Sequence, residues 1–162
     1  MTKIKYPLEA GDQDRMLEIE RLSFSSPWSE EDIRHALLSR DGMRCLGLCE
    51  EETLIGWGCF RLGFGEAHLT TVAIHPVYRR KGFGRKLTSA LLQAASDAGA
   101  TYMELECRRG NHAAQELYKS LHFLRAGIRY GYYTDTGEDA LIYVNINLPE
   151  GDSERDPFLI RE

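Results

Sequence analysis

The sequence has no C-x-x-C pair, no H-x-x-x-H spacing, no run near the roughly 20 apolar residues of a membrane span and no excess of basic charge. Each absence excludes something. Cys45-x-x-x-Cys49 could be half of a metal site, but Cys59 and Cys107 supply no second half. On a strand, residues 45 and 49 share one face, so buried free thiols are the expected state. His35, His68, His75, His112 and His122 are too widely spaced for zinc, so no metal is expected. Residues 1–7 lead into acidic positions without an apolar run of signal-peptide length, so the protein is expected in the cytoplasm, away from membranes. The net charge of −5 argues against direct nucleic-acid binding and suits a cationic partner.

What is present fits one globular domain of 162 residues, 43% hydrophobic and 28% charged, rather than a disordered chain. Residues 3–8 read as a first strand. Asp12 is placed to cap a helix carrying Met16, Leu17, Ile19 and Leu22, and Ser29 with Asp32 resembles a capping box for a second helix to about Leu38. Strands follow near 43–49, 54–62 and 66–74. Phe83, Leu87, Leu91, Ala94 and Ala98 form one apolar stripe, which predicts a helix from Gly82 to about Asp97 with Gly99 ending it. A strand at 101–108, a helix at 112–121 and strands at 123–132 and 139–147 complete the domain. Residues 149–162 turn polar and acidic and are expected to form a mobile tail. The pattern predicts a mixed α/β sheet with helices on both faces.

Three features carry chemistry. Arg79-Arg80-Lys81-Gly82-Phe83-Gly84 lies between a strand and the strongest helix, where free backbone N–H groups, glycines and basic side chains suit a pyrophosphate. A solvated basic turn with a glycine N-cap is the other reading of the same residues. Neither the P-loop pattern nor the third glycine of the dinucleotide fingerprint is present. Glu106, near the end of a strand, could act as a general base or pair with Arg108. Tyr118, on the next helix, could donate a proton or fill the core.

Together these segments resemble the GNAT superfamily of acetyl-CoA-dependent N-acetyltransferases. Its signature [Q/R]-x-x-G-x-[G/A] matches Arg79, Gly82 and Gly84, and N-x-x-A-x-x-x-Y matches Asn111, Ala114 and Tyr118. Within the superfamily the chain is most similar to the RimI-type ribosomal-protein alanine N-acetyltransferases, through residues 24–29, 72–76, 105–108, 117–121 and 132–133, with a weaker match at 138–140. The resemblance implies a GNAT-type domain over residues 1–148, with a central, mostly antiparallel sheet of about seven strands, and a tail at 149–162. It implies acetyl-CoA as co-substrate and no metal. Glu106 would be the general base and Tyr118 the general acid. Val72, Ala73 and Ile74 would offer backbone hydrogen bonds to the coenzyme, Arg79, Arg80, Lys81, Gly82, Phe83 and Gly84 would wrap its pyrophosphate, and Asn111 would touch it. Trp28, Tyr132 and Tyr133 would line the acceptor entrance. The family commonly places glycine where this chain has His122, at a left-handed helix cap.

The acceptor follows from amine chemistry. A protein α-amine, with pKa about 7.7–8.0, is roughly a tenth or more neutral at pH 7, whereas a lysine amine near 10.4 is neutral only at about the 0.04% level. One glutamate suits the first task better, so the expected partner is the N-terminus of a protein, a basic ribosomal protein by the resemblance. A small-molecule amine, a lysine side chain and a non-catalytic acetyl-CoA-binding module are the alternatives.

Overall fold

The computed structural model describes residues 1–38 and 40–159. In chain order the elements are β1 (Thr2–Lys5), α1 (Gln13–Ser23), α2 (Glu30–Leu37), β2 (Met43–Glu50), β3 (Thr53–Gly63), β4 (Glu66–Ile74), α3 (Phe83–Asp97), β5 (Tyr102–Arg108), α4 (His112–Ser120), β6 (Leu124–Tyr133) and β7 (Glu138–Asn145). The strands form one sheet in the order β1-β2-β3-β4-β5-β7-β6, antiparallel throughout except between β4 and β5. This is the mixed, mostly antiparallel architecture expected. No described helix is long and apolar enough to cross a membrane.

Local chemistry sets the element limits. Ser29 and Asp32 form a reciprocal capping box that opens α2. Asp12 stands at the N-cap of α1, but its carboxylate serves the preceding turn, accepting from Glu9 N and from Lys5 Nζ at 2.9 Å each. β1 is shorter than the expected 3–8 because Pro7 has no N–H to continue the ladder. His122 adopts φ 71°, the left-handed conformation inferred for that cap.

Helices cover the two faces of the sheet. α1 and α2 pack Met16, Ile19, Ile33 and Ala36 against Trp57, Cys59 and Ala73. Trp57 is fully buried, and its indole N–H donates to the Met16 carbonyl at 3.0 Å. α3 and α4 bury Leu87, Leu91, Ala95 and Tyr118 against Ile55, Phe60, Leu105 and Tyr143 on the opposite face. Removing each such leucine from water is worth about 1.5–3 kcal/mol. α3 approaches β3 so closely that a Cβ on Gly58 would lie 2.6 Å from Leu91 Cδ1, so a larger residue there would have to displace the buried Leu91 side chain. Cys45, Cys49, Cys59 and Cys107 are free and buried, as expected.

The tail differs from expectation. Asp97 Oδ1 accepts from Asp152 N at 2.9 Å and from Arg155 Nε at 3.2 Å, which anchors it to the end of α3. Phe158 packs beside Tyr6, with the Arg44 guanidinium 4.1 Å from its ring. Residues 149–159 are therefore docked on the domain, because a buried aspartate and an apolar ring hold a segment whose composition alone reads as loose. Residues 160–162 lie outside the described residues.

Candidate active site

The site starts from a defect in the sheet. Thr71 opposes Cys59 and Leu69 opposes Phe60, so Thr70 is an unopposed bulge residue in β4, its hydroxyl donating to the Cys59 carbonyl at 2.9 Å. An extra residue reverses the side-chain alternation and bends the strand. Before the bulge, Ala67 and Leu69 face α3. After it, Thr71 and Ala73 face α1, where the Thr71 hydroxyl donates to Glu20 Oε2 at 3.1 Å. The parallel ladder with β5 stops at the same place, its last pair being His68 with Glu104. Beyond it β4 pairs only with β3, through Val72, Ala73 and Ile74 against Gly58, Trp57 and Gly56. The other edge of those three residues faces a gap toward β5, free for an extended ligand.

The gap leads to the start of α3. Gly82 is the N-cap at φ 81°, a conformation that favours glycine, and a side chain there would meet nothing within 4 Å. The first intrahelical bond is Lys86 N to Gly82 O, so the N–H groups of Phe83, Gly84 and Arg85 have no helical partner. Arg80 and Lys81 are exposed beside them. Arg79 is already engaged: Nε donates to the Ile74 carbonyl at 2.8 Å and Nη2 to Ser23 Oγ at 2.9 Å, so it ties the loop to β4 and α1. Asn111 is likewise engaged, its Oδ1 capping α4 by accepting from Ala114 N at 3.1 Å.

Alternation on β5 sends Met103, Leu105 and Cys107 into the core under α3 and α4 and leaves Glu104, Glu106 and Arg108 on the opposite face. Glu106 does not pair with Arg108. That arginine is held by Asp135 at 2.9 Å and Glu138 at 3.4 Å and stacks on Tyr133, 4.0 Å from the ring centre. Glu106 Oε2 instead lies 2.6 Å from His68 Nε2, and Oε1 lies 3.9 Å from Arg129 Nε. Burial alone would raise the Glu106 pKa, but the His68 hydrogen bond and the His68 and Arg129 charges outweigh it and hold the carboxyl below its ordinary value. The same hydrogen bond raises His68 against the opposing effect of its own partial burial. His68 was not singled out from the sequence. The signal is its phase: residues 68 and 106 both alternate away from apolar neighbours, but their meeting depends on a parallel register that no local pattern reveals.

Tyr118 reaches the site region from the other face. Its ring packs on Phe123 and Tyr143, and among the described residues no hydrogen bond reaches its hydroxyl. Burial, with Cys107 and Tyr133 nearby, pushes its pKa up. Tyr133 is pushed up to about 12, chiefly by burial. The 24–29 segment and the β6–β7 turn meet: Asp135 Oδ2 accepts from Ser25 Oγ at 2.6 Å and from Ser26 Oγ at 3.3 Å. Tyr132 is exposed, with its ring 5.1 Å from Tyr133. Trp28 is half-buried on Trp57, 5.6 Å between centroids, and its backbone N–H donates to Glu20 Oε1 at 3.2 Å. Among the described residues, no three His, Cys, Asp or Glu side chains converge as metal ligands would.

A splayed parallel pair, a glycine-capped helix N-terminus and a carboxylate beside the gap together suit transfer from a long pyrophosphate-bearing donor. Residues 13–123 match the model of the acetyltransferase (GNAT) family. The chain belongs to that family. It is an acetyl-CoA-dependent N-acetyltransferase. The [ribosomal protein bS18]-alanine N-acetyltransferase of Escherichia coli (strain K12) is 35% identical over 139 residues, which cover 83% of this chain and 91% of that one. The crystal structure of the ribosomal-protein-S18-alanine N-acetyltransferase from Escherichia coli superposes with a TM-score of 0.82 at 30% identity, covering 98% of this chain and 100% of that one. Arabidopsis thaliana NAA60 in complex with acetyl-CoA shares the fold at a TM-score of 0.82 and 15% identity, covering 91% of this chain and 99% of that one.

Proposed function

We propose that this acetyltransferase acetylates the N-terminal α-amine of a protein, an N-terminal alanine of a basic ribosomal protein, in the cytoplasm. The observation that carries the reading is the carboxylate of Glu106 beside the β4–β5 gap, on the face where the 24–29 segment and the β6–β7 turn are joined through Asp135. The Escherichia coli relatives are named for that substrate, which supports the choice of acceptor.

In this reading the coenzyme lies along the free edge of Val72, Ala73 and Ile74. Its pyrophosphate meets the N–H groups of Gly82, Phe83 and Gly84, with Arg80 and Lys81 adding charge. Arg79 and Asn111 shape this site through the backbone they hold. The coenzyme supplies an activated acetyl thioester. Glu106 takes the proton that the amine loses on attack, and Tyr118 gives one to the departing thiolate. Trp28, Tyr132 and Tyr133 line the acceptor entrance. A carboxylate held below its ordinary pKa stays ionised at neutral pH, and it suits an α-amine of pKa about 7.7–8.0 better than a lysine.

The test compares kcat/KM for a ribosomal-type peptide starting with alanine against its N-terminally blocked, lysine-bearing twin. The first should be acetylated and the second not. Each methylene added to the first residue should lower kcat/KM by the equivalent of about 1–3 kcal/mol, a graded preference. Acetylation of the blocked twin at a similar rate sinks the N-terminal reading and moves a lysine or small amine ahead.

A further inference from the structure

Glu106 must lose its newly gained proton before each new turnover, and it is poorly placed to do so alone. Its side chain is 13% exposed, while that of His68, 2.6 Å away, is 43% exposed. We propose that His68 is the proton outlet of the acetyl-transfer site, taking from Glu106 the proton that the attacking amine gives up and releasing it to water.

This inference rests on the reading of Glu106 as general base. His68 stands in the last residue pair of the β4–β5 ladder, where the gap begins. It is on the same face as Glu106, because it precedes the bulge that reverses β4. Its Nε2 is bonded to Glu106, and Nδ1 has no protein partner among the described residues. Of the two side chains, the imidazole is the one more open to solvent.

The proton balance closes. The amine N–H bond breaks, and its electron pair stays on nitrogen to attack the acetyl carbon. The proton moves to Glu106 Oε2 and crosses to His68 Nε2. The imidazolium then releases a proton from Nδ1 to water. Exchange with water at the exposed ring restores the Nδ1–H tautomer, so that Nε2 can accept again, and Tyr118 regains from water the proton it gave to the thiolate. The groups facing the pair are consistent with this direction. Arg129 on β6 disfavours a protonated Glu106, and Glu104 on β5 favours a charged imidazole, opposed by Arg61 on β3. The hydrogen bond to Glu106 raises the His68 pKa above its usual value against the opposing effect of partial burial.

The experiment measures kcat against pH at saturating acetyl-CoA and alanine-starting peptide for the parent, His68→Gln, His68→Ala and Glu106→Gln. Circular dichroism and Tm establish that each variant is folded. Both His68 variants should lose about tenfold in kcat with KM unchanged, less than the roughly 10²–10⁴-fold scale of losing a general base. Their acid limb should move to lower pH, because the raised histidine titration is gone. Added imidazole should restore part of kcat in His68→Ala and none in Glu106→Gln. Parent-like kcat and pH profile in folded His68 variants overturn the outlet, as does a loss with an unmoved limb that imidazole does not restore. If those results accompany an inactive Glu106→Gln, only the outlet fails. A parent-like Glu106→Gln removes the general-base reading itself and the outlet with it.

Discussion

β3 and β6 are long strands of one sheet, yet they are packed in opposite ways. Seven consecutive residues of β3, from Leu54 to Phe60, are buried, because α1 and α2 cover one face and α3 the other. β6, at the far edge, has no fully buried residue; Leu124, Tyr130 and Tyr132 are all exposed. β5 stands between them in character as well as in position: one face supplies Leu105 and Cys107 to the core and the other presents Glu106. The difference teaches that this sheet has a supporting half and a working half. A strand covered on both faces has no room for reactive side chains, whereas an uncovered face can hold carboxylates, arginines and tyrosines with solvent access.

The largest test of this division is chemical. Glu106→Gln should lower kcat roughly 10²–10⁴-fold, the scale of general-base loss. Its urea midpoint should stay close to the parent's, because the isosteric amide oxygen can still accept a hydrogen bond from His68. Tyr118→Phe crosses the division. Its hydroxyl makes no hydrogen bond among the described residues, so folding stability should hold while kcat falls and the Kd for acetyl-CoA stays constant. A drop in stability with unchanged kcat would return Tyr118 to a packing role.

In the supporting half, Leu91→Ala should cost about 2–5 kcal/mol in chemical denaturation, since Leu91 is fully buried between α3 and β3. The matching change on the open half, Leu124→Ala at 66% exposure, should stay within about 0.5 kcal/mol. Equal losses would erase the comparison. The smallest effect is one of pH. The Arg108 and Ser25 hydrogen bonds hold the Asp135 carboxyl down to about 2, from an ordinary value of 3.8. A depressed carboxyl stabilises the fold above its unfolded pKa and ceases to as pH falls through the folded one. The urea midpoint of the parent should therefore decline faster between pH 4 and 2 than that of Asp135→Asn, which lacks the contribution.

Much of this was legible in the residues. The apolar stripe of α3, the Ser29 box of α2 and the alternation of β5 act over a few neighbours, so each element lies close to where its pattern puts it. The R-x-x-G-x-G turn fell at a helix N-terminus because glycine spacing reports backbone conformation directly. What was not legible depends on distant partners. Arg108 turns to Asp135 and away from Glu106 only because the β6–β7 turn comes back over β5. Arg79 and Asn111 match the motif, yet their side chains brace local backbone. The acidic tail docks because Asp97 and Arg44 wait for it some fifty or more residues earlier in the chain. The bulge at Thr70 has no composition of its own, and it decides which way Thr71 and Ala73 face.

That bulge also makes the sheet thermodynamically incomplete. Of its six junctions, the one between β4 and β5 is closed over only three residue pairs, and past it one edge of Val72, Ala73 and Ile74 has no strand beside it. A ligand lying in the opening takes the place of the missing strand, and it does so only in the folded state. By mass action such a ligand raises folding stability by RT ln(1 + [L]/Kd), about 2.7 kcal/mol at a hundredfold excess over Kd. The melting temperature of this protein is therefore a readout of how much donor surrounds it.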